Sequence, residues 1–129
     1  MDITKTRVFA VCVSNGKYLR SSMLAMTVQS FLAQDYAGSC GLLVVLDGDI
    51  PDCPVLKHPN VYVIQLPGRE FTIGELRNAS KTYVQHQIQP DRKLYAMCHM
   101  DVGVYYGPDY LTNMVQALAV KQVGMLQAV

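Results

Sequence analysis

Continuous apolar runs and polar breaks alternate along the chain at regular intervals. Val8-Phe-Ala-Val-Cys-Val13 has no polar alternation and carries β-branched residues, which suits a strand buried on both faces. Ser14-Asn-Gly16 interrupts it. From Leu19 to Gln34 the positions Leu19, Met23, Met26, Thr27, Ser30 and Phe31 recur at helical spacing, which predicts a helix with that stripe inward. Gly38, after Tyr36-Ala37, is a stop signal for it. Leu42-Leu-Val-Val-Leu46 reads as a second buried strand, closed by Asp47-Gly-Asp49, and the stretch from Ile50 to Asn60, with three prolines, reads as loop. Val61-Tyr-Val-Ile-Gln-Leu66 is a third strand, ended by Pro67-Gly68. A helix is expected from Glu75 to about Gln87, with Thr72 and Glu75 at capping-box spacing. Leu94 to His99 reads as a fourth strand. Pro108 suits the first turn of a helix running to about Lys121, and Met125 to Val129 as a fifth strand.

Buried strands alternating with amphipathic helices predict an α/β fold: a Rossmann-like, mostly parallel sheet with helices on both faces. In open sheets of that kind ligands bind beyond the carboxyl ends of the strands. The polar groups Ser14-Asn-Gly16, Asp47-Gly-Asp49, Pro67-Gly-Arg69 and Asp101 follow the four strands, so periodicity alone assigns them to one edge.

Composition narrows the picture. The chain has 129 residues, half of them hydrophobic, 16% charged, with a net charge of +1. It is therefore expected to be one folded domain, residues 1–129, with no basic surface for nucleic acid. No apolar run is long enough for a membrane span, and the N-terminal residues lack the apolar segment of a signal peptide, which makes the cytoplasm the expected location. The cysteines at 12, 40, 53 and 98 form no Cys-x-x-Cys pair and read as reduced and structural.

Several chemistries are poorly served. Only Gly16 follows the first strand, so a dinucleotide loop and a P-loop are both absent. No serine sits in a Gly-x-Ser-x-Gly elbow. Cys98 and His99 are strand neighbours and face opposite sides, so they are no nucleophile–base pair. His58, His86 and His99 lack zinc spacing. His99 and Asp101 do alternate onto one face. Taken singly, Asp47-Gly-Asp49 is turn chemistry and Arg77 reads as a solvated helix residue, with phosphate binding the functional alternative.

Taken together, four segments resemble a family 2 glycosyltransferase of the GT-A fold. Val8 to Leu19 with Val28-Gln-Ser-Phe-Leu-Ala-Gln-Asp-Tyr36 is similar to the family's opening strand, loop and helix. Leu43-Val-Val-Leu-Asp-Gly48 is similar to its "VVVDDG" segment, Ile73-Gly-Glu-Leu-Arg-Asn78 to its "LGxxRN" helix, and Met100-Asp-Val-Gly-Val-Tyr-Tyr-Gly-Pro-Asp-Tyr-Leu111 to its "DxDDxxxxP" region. The resemblance implies transfer of a sugar from a nucleoside diphosphate sugar to an acceptor hydroxyl, usually with inversion. It implies that Ser14 and Asn15 lie under the nucleobase and ribose, Asp47 near the base, Arg77 near the nucleotide, and Asp101 at a Mn2+ or Mg2+ ion.

The segment also departs from the family. Leu46 stands where the first aspartate of the "DD" pair belongs, and Gly103 and Val104 where two further acids of the metal motif belong. That leaves one protein carboxylate, Asp101, for a divalent ion, or else cations such as Lys17, Arg69 and Arg77 to cover the diphosphate. The resemblance also implies that residues 1–129 are the nucleotide-binding half, with the acceptor-binding half and its general base expected from a C-terminal continuation or a second chain. The alternative is a non-catalytic GT-A-like module with a structural, assembly, glycan-binding or nucleotide-binding role.

Overall fold

The computed structural model describes residues 7–14, 20–69, 71–88, 95–120 and 126–127. Four strands, β1 (Arg7–Ser14), β2 (Cys40–Asp47), β3 (Val61–Leu66) and β4 (Tyr95–His99), form a parallel sheet in the order β3-β2-β1-β4. A two-residue strand β5 (Leu126–Gln127) pairs parallel to β4 at the far edge. Three helices connect them: α1 (Ser21–Leu32), α2 (Ile73–Tyr83) and α3 (Tyr110–Val120). The chain is thus an α/β domain of Rossmann-like type. No helix among the described residues is long and apolar enough to cross a membrane.

Strand alternation divides the core in two. Val8, Ala10 and Cys12 of β1 face one side with Leu42, Val44 and Leu46 of β2, covered by Leu24, Val28 and Phe31 of α1 and by Leu111 and Val115 of α3. Phe9 and Val11 face the other side with Leu43, Val45 and Met97, covered by Leu76 of α2 and by Val84. Both faces are therefore dry, which explains why these strands are apolar at every position rather than at alternate ones.

The buried face of α1 keeps part of the expected stripe. Thr27, Ser30 and Phe31 are buried as expected and are joined by Leu24 and Val28, while Met23 and Met26 are each 37% exposed. Positions 24, 27, 28 and 31 make the i, i+3, i+4, i+7 face that a single sheet can cover. Leu19, at the head of the expected stripe, lies outside the described residues, as do Leu94, Lys121 and Met125 at other expected boundaries. The proline-rich stretch before β3 contains one 3-10 turn, Pro54–Lys57, begun by Pro54 with its fixed φ. The α2 helix continues into a single turn of π-helix, Val84–Ile88.

The start of α2 follows its sequence signature. Thr72 Oγ1 accepts from the Glu75 N–H at 3.1 Å, and Glu75 Oε1 accepts from the Thr72 N–H at 3.0 Å. Both ends of the capping box are closed, so the first turn of α2 uses these donors internally. Leu76, fully buried, then anchors the helix to the sheet, a burial worth about 1.5–3 kcal/mol.

The order of connections positions the site. β1, α1 and β2 build outward in one direction, and β3 follows on the same side. The chain then returns through α2 and lays β4 against the opposite edge of β1. The strand order reverses between β1 and β4, and in open sheets of this kind ligands bind beyond the carboxyl ends of the strands at such a point.

Candidate functional site at the carboxyl edge of the sheet

Two aspartates end strands on this edge, and they stand in different surroundings. Asp47 closes β2 and is 2% exposed. Its Oδ1 accepts from the N–H groups of Gly68 at 2.7 Å and Arg69 at 3.2 Å, and its Oδ2 accepts from the Phe71 N–H at 2.9 Å. The loop after β3 thus wraps the carboxylate. Gly68 makes the wrap possible with a φ of +80°, a backbone conformation that favours glycine. Asp47, expected near a nucleobase, has both oxygens engaged by the loop that leads into α2.

Asp101 lies two residues past β4 with its side chain 61% exposed. Arg77, from the middle of α2, reaches it at the carboxyl edge of the sheet, with Nη2 3.7 Å from Oδ1. That is an ion pair rather than a short hydrogen bond, and at this exposure it adds little to stability. The guanidinium has five N–H donors, so one loose contact leaves it able to meet a second anion. His99, the last residue of β4, lies on the same side. Burial, then the Arg77 guanidinium, hold its imidazole below the ordinary value of 6.5, while Asp101 pulls the other way. Among the described residues, the buried atoms His99 Nδ1 and Arg77 Nε have no hydrogen-bond partner. The corner therefore gathers a cation, a carboxylate and a neutral imidazole at the point where the strand order reverses.

The turn that carries Asp101 is held by side chains from elsewhere. The last sheet bond on this strand is from Met100 N–H to Val11 C=O, at 2.9 Å. Beyond it, the Asp101 N–H donates to Tyr106 Oη at 2.7 Å, and the Gly103 N–H donates to Thr27 Oγ1 at 3.1 Å. Tyr110 donates its hydroxyl to the His99 carbonyl at 2.7 Å, and burial pushes that phenol up to about 12, so it remains a donor. Gln34, at the end of α1, donates to the Gly107 carbonyl at 2.8 Å and accepts from the Leu111 N–H at 2.9 Å, satisfying an orphan donor in the first turn of α3. Thr27, Gln34, Tyr106 and Tyr110 were not readable as site residues from the sequence. Their one signal is a polar group at a position that helical periodicity turns inward, as at Thr27.

Of the other expected residues, Ser14 is half-buried at the end of β1, opposite Leu46. Asn15 and Lys17 lie outside the described residues, and Arg69 is exposed. All four cysteines are free. Burial pushes the Cys12 thiol up to about 12, helped by Asp101, and the Cys98 thiol up to about 11, so neither is a thiolate nucleophile at neutral pH.

The donor set also bears on a divalent ion. A hard cation takes about six oxygens or more. Among the described residues no group of three His, Cys, Asp or Glu side chains converges. Gly103, at an expected acidic position, has a φ of +79° and gives its N–H to Thr27. Val104, at the next, is 44% exposed and apolar. The described residues by themselves do not make a resident Mn2+ or Mg2+ site. No family model matches this chain, and no curated protein matches it.

Proposed function

We propose that this chain is the nucleotide-binding half of a family 2-like GT-A glycosyltransferase, and that the nucleoside diphosphate of a sugar donor binds beyond the carboxyl ends of β1 and β4. The observation that carries the reading is the meeting of Arg77 and Asp101 at the edge where the strand order reverses, the usual ligand position in open α/β sheets. In this reading the Arg77 guanidinium meets the diphosphate oxygens, and Asp101 accepts from a hydroxyl of the ribose or sugar. Ser14, at the end of β1, lies near the base and ribose. Asp47 acts one step removed, by holding the loop from which α2 presents Arg77.

One observation favours a second reading, in which the module binds a sugar nucleotide without transferring the sugar. The turn after Asp101 sets a backbone N–H and an apolar side chain, rather than acids, where a metal-assisted transferase would neutralise the leaving diphosphate.

Calorimetric titration with UDP, GDP and their sugars, with and without manganese, tests both. Binding by at least one nucleoside diphosphate is expected, weakened about tenfold or more by Arg77→Ala, the cost of one charge-assisted contact, and little changed by manganese. No binding by any of them would remove the sugar-nucleotide reading altogether. Release of free nucleoside diphosphate from a sugar nucleotide on incubation with the protein and manganese, abolished by Asp101→Ala, would restore the transferase reading over the binding one.

A further inference from the structure

We infer that Thr27, from the buried face of α1, is a positioning residue that sets the Asp101 turn and thereby the placement of Asp101 opposite Arg77. After Met100 the chain leaves the sheet, and its backbone groups need other partners. Asp101 is held on both sides of its α-carbon. Its N–H donates to Tyr106 Oη at 2.7 Å, and its carbonyl lies 3.3 Å from Thr27 Oγ1. The same threonine oxygen accepts from the Gly103 N–H at 3.1 Å. One hydroxyl, from a helix more than seventy positions earlier in the chain, thus reaches two backbone groups of the Asp101–Val104 turn, which the Val104 N–H closes on the Asp101 carbonyl at 3.4 Å.

The plainer account of a mid-helix threonine is a bond from its hydroxyl back to the carbonyl four residues earlier. Met23 O is indeed 3.3 Å away, as near as Asp101 O. That account engages only the hydroxyl hydrogen. It leaves unexplained the bond accepted from Gly103, and a hydroxyl has acceptor capacity for it while donating elsewhere. Thr27 is fully buried, so water does not substitute for it. Gly103, whose N–H meets Thr27, adopts a φ of +79°, which a residue with a side chain adopts only with strain. The turn, the glycine and the threonine form one device, with the exposed Asp101 carboxylate as its output.

This inference rests on reading the corner as the ligand site, and two measurements keep their failures apart. The first is amide hydrogen exchange at Gly103 in the unmodified protein, Thr27→Ser and Thr27→Val. Protection in the first two and at least tenfold faster exchange in Thr27→Val are expected. An unprotected Gly103 amide in the unmodified protein overturns the inference even if Thr27→Val does not fold. So does unchanged exchange in Thr27→Val. The second is affinity for UDP and GDP, expected to fall about tenfold in Thr27→Val, to return in Thr27→Ser, and to fall no further when Asp101→Ala is added to Thr27→Val. Undiminished affinity in Thr27→Val, where Asp101→Ala alone weakens binding, also overturns it. If neither nucleotide binds the unmodified protein, the proposed function fails, and the exchange result alone decides the role of Thr27.

Discussion

Asp47 and Asp101 each follow a buried parallel strand on the same edge of one sheet, yet one is sealed and the other open. The loop after β3 curls back over Asp47 and donates three N–H groups to it. The turn after β4 points its N–H groups away from the Asp101 carboxylate, toward Tyr106 and Thr27. The first carboxylate is a structural part of the β3–α2 connection. The second is left facing Arg77 and solvent. A strand-end aspartate becomes a candidate ligand group only when the backbone around it is satisfied by something else.

The largest expected effect separates the two directly. Asp47→Ala leaves three backbone donors without their charged acceptor, and a loss of about 2–4 kcal/mol of stability is expected, read from the midpoint of urea unfolding. Asp101→Ala, removing a mostly exposed partner of a loose ion pair, is expected to change stability by less than about 0.5 kcal/mol. Similar losses in both would break the contrast.

Next come the glycines that shape the two corners. Gly68→Ala and Gly103→Ala each place a side chain at positive φ, at an expected cost of about 1 kcal/mol in thermal or chemical unfolding. At Gly103 the added Cβ would meet only the flexible end of Met23, at 3.0 Å, so the cost there is backbone strain. A neutral or stabilising Gly103→Ala would show that the turn is not held in this conformation.

The smallest effect sharpens the description of the open corner. His99 is expected to titrate below 6.5 in NMR. Arg77→Ala should raise its pKa and Asp101→Ala should lower it further, since the two neighbours act with opposite signs. A histidine with a lowered pKa binds its proton less readily folded than unfolded. Its contribution to stability is therefore full above pH 6.5 and is lost as the pH falls toward its folded pKa. Shifts of the same sign in both variants would show that the three groups do not share one corner.

Much of this was legible in the chain. The strand runs Val8–Val13 and Leu42–Leu46 lie within β1 and β2, because a strand buried on both faces has to be apolar throughout, and Val61–Leu66 coincides with β3, a half-buried edge strand with Gln65 exposed. The Thr72–Glu75 cap was legible because both partners lie within one turn. The inward face of α1 was legible only in part: Thr27, Ser30 and Phe31 were, but Met23 and Met26 are as apolar as Leu24 and Val28, and only the position of the sheet chooses between them. Arg77 and Asp101 were each visible as candidates, but nothing local brings them together.

The sequence by itself determined the elements, their alternation and the edge on which the polar breaks fall, since periods of two and 3.6 residues and capping signals act within one element. Only the tertiary structure decided which aspartate is sealed, which is open, and which residues hold the open one. Most of those outcomes depend on hydrogen bonds between groups more than twenty residues apart, and in the case of Thr27 and Gly103 more than seventy, while Tyr106 lies five residues from Asp101. The pairing of Asp47 needs β3 laid beside β2, and that of Thr27 with Gly103 needs β4 laid against β1 after the return through α2.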